Sequence, residues 1–429
     1  MTIHARLLIR GVRASSGLQN RLSNEALNQA SLDERRKTRR QSSRARSVLR
    51  DAIKDSPSIG TADHTMNTFI QTTLLLTTLT AATSVAYAVP AFSCCATDDN
   101  HVGRPDDHAP ISVMGDHTHA KNGWMLSYRY MHMDMDGMRH GTDRVSSADV
   151  FAEGYTVSPE SMSMDMHMLG LMYAPTDKLT LMVMSNYTEI EMDHKISSQM
   201  AANMINHGNR QFTTETSGIG DVKVGGLYRF YLKENRKAHL GLSLSLPTGS
   251  IDKKDRTPAM GGPANQQLPA PMQLGSGTYD LLPSLTYVQQ FERWSYGAQA
   301  NAVIRLESEN DNGYRLGDVF GATTWAGYNL TEWVGLNTGL NYTYTSQLNG
   351  DQDDVSTMGP NGKSVTTAYN RNYGGERLDA IFGLNFYVLS GTLKGQRIAV
   401  DIRLPLWQDL NGYQLETDTM LTLGWQMAF

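Results

Sequence analysis

The chain has 429 residues, 40% hydrophobic and 19% charged, with a formal net charge of -5 and a mean hydropathy of -0.39. No run of about twenty apolar residues occurs in the mature part, which excludes a bundle of membrane helices; a barrel stays open, because only alternate residues of each strand meet lipid. The charge is uneven: Arg35, Arg36, Arg39, Arg40, Arg44 and Arg46 make residues 1–65 basic while the remainder is acidic.

The basic segment reads as an extension upstream of a secretory signal rather than as a nucleic-acid-binding arm, so nucleic acid is not an expected partner. The signal is expected over residues 66–88. Its apolar stretch includes Phe69, Ile70, Leu74, Leu75, Leu76 and Leu79, and Ala86-Tyr87-Ala88 fits the small-x-small cleavage rule. The two cysteines, Cys94 and Cys95, follow the cleavage point and would sit in an oxidising compartment. A vicinal disulfide, a soft-metal site and a bond to another chain all remain open for them.

Residues 89–121 are rich in His and Asp, with Asp98, Asp99, His101, Asp106, Asp107 and His108, and are expected to form a disordered periplasmic arm that binds metal loosely. Within it, Gly115-Asp116-His117-Thr118-His119 places two histidines at i and i+2, on one face of an extended segment.

From residue 122 to 429 the sequence predicts an all-β transmembrane barrel of about twelve antiparallel up-and-down strands. Leu421, Leu423, Trp425, Met427 and Phe429 alternate with Thr422, Gly424, Gln426 and Ala428 in the last of them. Period-two alternation also runs through Leu240–Leu246, Val334–Tyr342, Leu378–Phe386 and Ile398–Leu404. Short turns are expected at 175–177, 233–236, 292–293, 331–332 and 391–394. Longer polar loops are expected at 136–160, 193–217, 249–275, 307–314, 347–373 and 407–413. The alternation of short and long connections matches periplasmic turns and external loops in an outer membrane. Trp294, Tyr328, Trp333 and Trp425 suit interfacial girdles. Inward parity falls on Asp221, Asp280, Asp379, Asp401 and Arg403, the candidate polar lumen residues.

Three segments carry a resemblance: Gly218-Ile219-Gly220-Asp221, Pro247-Thr248-Gly249, and Gly275-Ser276-Gly277-Thr278-Tyr279-Asp280. Over roughly Trp124 to Phe429 the chain resembles the outer-membrane barrel family named for the meta-pathway of phenol degradation. The resemblance implies a barrel with a transport role. The cell outer membrane, with its lipid and lipopolysaccharide, is the expected setting, and the strand Leu421–Phe429 resembles the C-terminal signature by which the barrel-assembly machinery recognises its clients. It supplies no catalytic residues, and no nucleophile motif stands out, so no enzymatic activity is expected.

The unusual chemistry is a concentration of Met and His between His101 and His207. Met131, Met133, Met135, Met164, Met166, Met168, Met182 and Met184 share one strand parity, expected to face the lumen. With His117, His119, His132 and His167 they form the candidate metal set, since thioether and imidazole together suit Cu(I), and nearby carboxylates suit Cu(II); His132 and Asp134 fall on the other parity, near the outer rim. Methionine is also a flexible filler of narrow barrel interiors, which is the plainer explanation. The sequence therefore leads to an outer-membrane channel associated with copper handling. The alternatives are a transporter of small aromatic or hydrophobic compounds and a structural barrel with a plugged lumen.

Overall fold

The computed structural model describes residues 104–429. The expected basic extension, the signal peptide and the Cys94-Cys95 pair lie outside the described residues.

Strong period-two patterning yields long strands: β1 (Trp124–Gly141), β2 (Tyr155–Tyr173) and β3 (Leu179–Ile196), then β4 (Gln211–Ile219) and β5 (Val222–Lys233). These are followed by β6 (Arg236–Leu246), β7 (Asp280–Gln290), β8 (Trp294–Arg305), β9 (Val319–Asn329) and β10 (Val334–Thr345). The series ends with β11 (Gly375–Tyr387) and β12 (Gln396–Ala428). Successive strands pair antiparallel, and β12 returns to β1 to close the ring. β4 and β5 form one barrel strand interrupted at Gly220-Asp221, since both pair with β3. β12 is a hairpin: its first arm pairs with β11 up to Leu410, and its second pairs with β1 from Leu410 to Ala428. The wall is therefore twelve-stranded, an even number with both ends on one side, as the sequence predicts.

At the end holding Trp124 and Phe429 the connections are short, namely 174–178, 234–235, 291–293, 330–333 and 388–395. At the other end lie the long ones. Helices α1 (Ser147–Ala152) and α2 (Gln199–Ile205) sit in two of these, and the longest, 247–279, folds back over the bore.

Three expected loops are shorter than the sequence suggests. Segment 407–413 is a tight turn at Asn411-Gly412, with Gly412 at φ 60° inside a continuous strand element. Much of 136–160 and 193–217 is strand as well, because β1 runs to Gly141 and β3 to Ile196. The reason is physical: above the membrane the outward face meets water, so polar residues occupy both faces and the apolar alternation that marks a strand disappears.

Within the membrane the two faces differ sharply. Leu169, Leu242 and Phe382 are exposed on the outside at 59%, 56% and 49%, whereas Asn337 and Asn385 are each 1% exposed inside. An exposed apolar band of this extent is stable only against lipid. Aromatic pairs mark the short-turn rim, with Trp124 4.4 Å from Tyr173 and Phe291 4.0 Å from Trp294 between ring centroids. Amphipathic rings favour this membrane–water boundary. No helix among the described residues is long and apolar enough to cross a membrane.

Candidate functional site

The lumen is occupied at its short-turn end by the chain's own segment 104–121. The sequence suggests a disordered arm there; instead these residues are packed into the bore. The segment is fastened on all sides. Arg104 donates to the carbonyl oxygens of Phe291 (2.6 Å) and Glu292 (3.1 Å) in the β7–β8 turn. The Asp106 carboxylate accepts from Arg104 Nε (2.9 Å) and from Asn329 Nδ2 of β9 (2.7 Å). Asp107 pairs with Lys237 of β6 and accepts from Gln290 Nε2 of β7 at 2.7 Å.

Further along, Arg397 of β12 donates to the Ala109 carbonyl at 3.0 Å, and the Ser112 amide donates to Asp401 at 2.8 Å. Gln299 Nε2 donates to the Met114 carbonyl at 3.0 Å. Between these bonds Ala109, Ile111 and Val113 are buried at 1%, 2% and 4%. Polar anchors with an apolar filling are what an ordered plug needs, because its backbone groups would otherwise be stranded without partners in the bore. Two inward glycines make room for it. A Cβ on Gly424 would lie 2.4 Å from Ile111 Cγ1, and one on Gly335 would lie 2.8 Å from Pro105 Cβ.

Above the plug lies a cavity of about 290 Å³ with Ser112–Gly115 as its floor. Its apolar lining is Met182, Met184, Leu227, Leu282, Val303 and Val319. Its polar lining includes Lys223, Ser243, Ser284, Gln299, Asn301, Thr323, Asn341 and Arg403. This volume stands at the lower edge of the range of about 300–1,000 Å³ typical of ligand pockets, so it suits a small molecule.

Towards the external end one side of the bore is lined by methionines. Register sets them side by side: Met135 faces Met162, which faces Met192; Met133 lies between Met164 and Met420; Met131 faces Met166. Lower down, Met125 faces Met172 and Met172 faces Met182. The loop 247–279 closes over the upper part and presses Leu268 and Met272 onto Met162, Ile190 and Met192, with Met164 and Leu274 at the margin. Asp221 holds the roots of this loop, accepting from the Gly249 amide at 2.8 Å and the Ser276 amide at 2.9 Å. Thr216 donates to the Met272 carbonyl at 2.9 Å.

The residues expected as a polar lumen set divide by task. Asp401 and Arg403 hold Ser112 of the plug, and Asp221 holds the loop. Asp280 pairs with Arg305 and accepts from Thr278 Oγ1 at 2.6 Å. Asp379 is fully buried and its Oδ2 accepts from Arg377 Nε at 3.2 Å.

The expected metal set is not brought together. Met131, Met133, Met135, Met164, Met166, Met168, Met182 and Met184 take inward parity. His132 and His167 take the opposite parity on the outer wall, where His132 Nδ1 is 2.7 Å from Asp165 Oδ1 and His167 Nδ1 is 2.8 Å from the Tyr128 hydroxyl. A strand sends successive side chains to opposite faces, so a Met-His-Met run cannot aim both donor types at one ion. His117 and His119 lie in the plug, within hydrogen-bonding reach or ring contact of Asp116, His108 and each other. Burial and the neighbouring His117 push the His108 imidazole down to about 4. Burial alone would raise the Asp116 carboxyl, yet His117 and His108 outweigh it and hold it well below the usual carboxylate range.

The anchors Arg397, Lys237, Gln290, Gln299 and Asn329 escape a reading of the sequence. Their signal was available only as a pairing: polar residues at inward parity in the strands, and a run of Asp and His just upstream of the first strand.

Residues 155–368 match the model of a family described as "Putative MetA-pathway of phenol degradation". No curated protein matches the chain. Among solved structures, an outer-membrane channel from Pseudomonas putida F1 is 18% identical, covering 74% of this chain and 100% of its own, with a TM-score of 0.50. The Ralstonia pickettii toluene transporter TbuX is 11% identical over 76% of this chain and 95% of its own, with a TM-score of 0.39. The Pseudomonas putida toluene transporter TodX is 10% identical over 76% and 95%, with a TM-score of 0.35. The first likeness speaks for the barrel fold alone, and the two toluene transporters are too distant to add to it.

Proposed function

We propose that this chain, a member of the outer-membrane barrel family matched over residues 155–368, is a passive channel for small apolar or monoaromatic molecules, closed at its periplasmic mouth by residues 104–121. The observation that carries this reading is the methionine track. It runs on one side of the bore from Met162, Met192 and Met272 beneath the external loop to Met182 and Met184 in the cavity above the plug. A pore for hydrated solutes gains nothing from thioethers. Methionine is soft, polarizable and conformationally adaptable, and a sulfur–aromatic contact contributes roughly 0.3–1.5 kcal/mol. A ring descending this track would exchange one such contact for the next, while the polar residues lining the cavity take any hydroxyl it carries.

The family description, with its phenol degradation, favours the same cargo class. The copper reading loses the pairing of the wall thioethers with His132 and His167, which face outward. Lipid and lipopolysaccharide would meet the outer wall, with His132, Asp134 and Asp165 above the apolar band.

Equilibrium binding to the folded barrel in detergent tests the cargo class. Phenol and toluene should bind and glucose should not, and Met133→Gln, Met164→Gln and Met166→Gln combined should weaken the aromatic at least about fivefold, roughly 1 kcal/mol. Equal binding of glucose, or no effect of the triple change, would remove the reading.

A further inference from the structure

We infer that the plug carries a binding site for a divalent first-row transition-metal ion, formed by His108, Asp116 and His117 with His119 beside them. This site is independent of the cargo. One donor atom from each of the first three residues lies within 4.8 Å of the other two. Asp116 Oδ2 is 3.0 Å from His108 Nδ1, and Asp116 Oδ1 is 2.7 Å from His117 Nδ1. Donors at about 2.0–2.1 Å from a tetrahedral ion stand roughly 3.3 Å apart, so a set already within 4.8 Å of one another needs only side-chain rotation to close on one.

A fourth donor stands close by. The His119 ring centroid is 4.9 Å from that of His117, and His119 Nε2 is buried with no hydrogen-bond partner. A buried imidazole nitrogen left unpaired is costly unless something occupies it. Two or three imidazoles and one carboxylate are a borderline nitrogen–oxygen set, suited to Zn²⁺, Ni²⁺ or Cu²⁺ rather than to Mg²⁺ or Ca²⁺.

The arrangement also has a structural consequence. His108 is separated by eight positions from Asp116 and nine from His117, and the intervening chain includes the buried Ala109, Ile111 and Val113. An ion bound across them would staple the two ends of this loop and hold the plug in the form that fills the bore. The surroundings fix the cluster further. His239 Nε2 lies 2.8 Å from the Gly115 carbonyl oxygen, and His108 stacks on Tyr387 at 6.2 Å. The competing possibility is that Asp116 accepts hydrogen bonds from two Nδ1–H groups and binds nothing. Metal affinity would then not exceed that of the outer wall.

The test uses the full barrel, refolded and freed of metal with a chelator, titrated with Zn²⁺ and, separately, with Co²⁺. The expected result is one tight Zn²⁺ per chain and a visible Co²⁺ absorption of tetrahedral intensity. Both should weaken at least tenfold in His108→Gln/His117→Gln and survive in His132→Gln/His167→Gln, which removes the imidazoles of the outer wall. Heat-modifiable gel migration establishes that each variant is a folded barrel. Should the plug variant fail to fold, the outer-wall variant and the parent decide the matter: one Zn²⁺ retained in both supports the site. The absence of tight Zn²⁺ in the parent, its loss only in the outer-wall variant, or equal affinity in a folded plug variant overturns it.

Discussion

Trp124 and Phe429 exchange two backbone hydrogen bonds, the Trp124 amide donating to Phe429 at 2.8 Å and the Phe429 amide to Trp124 at 2.9 Å. These two residues thus form the bottom rung of the seam between β1 and β12. Removing Phe429 leaves two backbone groups unpaired at the rim, a loss of about 1 kcal/mol per bond. The heat-modifiable transition of the deletion variant should fall by several degrees, and the amount of folded barrel in the outer membrane should drop. Gel migration across a temperature series checks both.

The plug is accommodated by the missing side chain at position 424. Gly424→Leu would drive its Cβ into Ile111, which lies 2.4 Å from that position. Plug and side chain cannot share the space, and overpacking of this kind costs about 1–3 kcal/mol. The variant should fold with the plug displaced and show a conductance in planar bilayers several times that of the parent. An unchanged conductance with an intact plug would mean that the bore yields elsewhere.

Met192 is 1% exposed and sits at the centre of the cluster that the external loop covers. Met192→Ala should destabilise by about 2–4 kcal/mol, the range for truncating a buried large apolar side chain. Met200→Ala, at a position 68% exposed, should be close to neutral. Urea unfolding in micelles, followed by tryptophan fluorescence, compares the two.

Asp221 ties both roots of loop 247–279 with hydrogen bonds to Gly249 and Ser276. Asp221→Ala strands two amides that had a charged acceptor, each worth about 1.5–3 kcal/mol. Limited proteolysis from the outside of intact cells should then cut within 247–279 several times faster, while cutting at the β10–β11 loop stays the same.

The barrel is legible in the sequence wherever one face must meet lipid. Leu421, Leu423 and Phe429 on one parity, with Thr422, Gly424 and Gln426 on the other, announce both the strand and its orientation, and the structure follows them. The upper halves of β1 and β3 are not legible, since residues such as Asp136 and Glu191 meet water and the pattern fades. The plug escapes for another reason. Its partners are far away in sequence, 289 positions separating Ser112 from Asp401, and an Asp- and His-rich run looks like a solvated arm until the complementary polar lumen is in place. The parity within the metal set is legible: the strand period alone puts Met133 inside and His132 outside, near the outer rim, and the structure keeps them there.

Conduction of small aromatic molecules along the methionine track can be read directly from transport. The measurement is uptake of radiolabelled toluene at low concentration by intact Gram-negative cells with a complete lipopolysaccharide layer, expressing the parent chain or Met164→Asp/Met166→Asp. Uptake should be several times that of empty cells for the parent and return to the empty-cell rate for the variant, with glucose uptake unchanged in both. Equal toluene uptake by parent, variant and empty cells would refute conduction by this track.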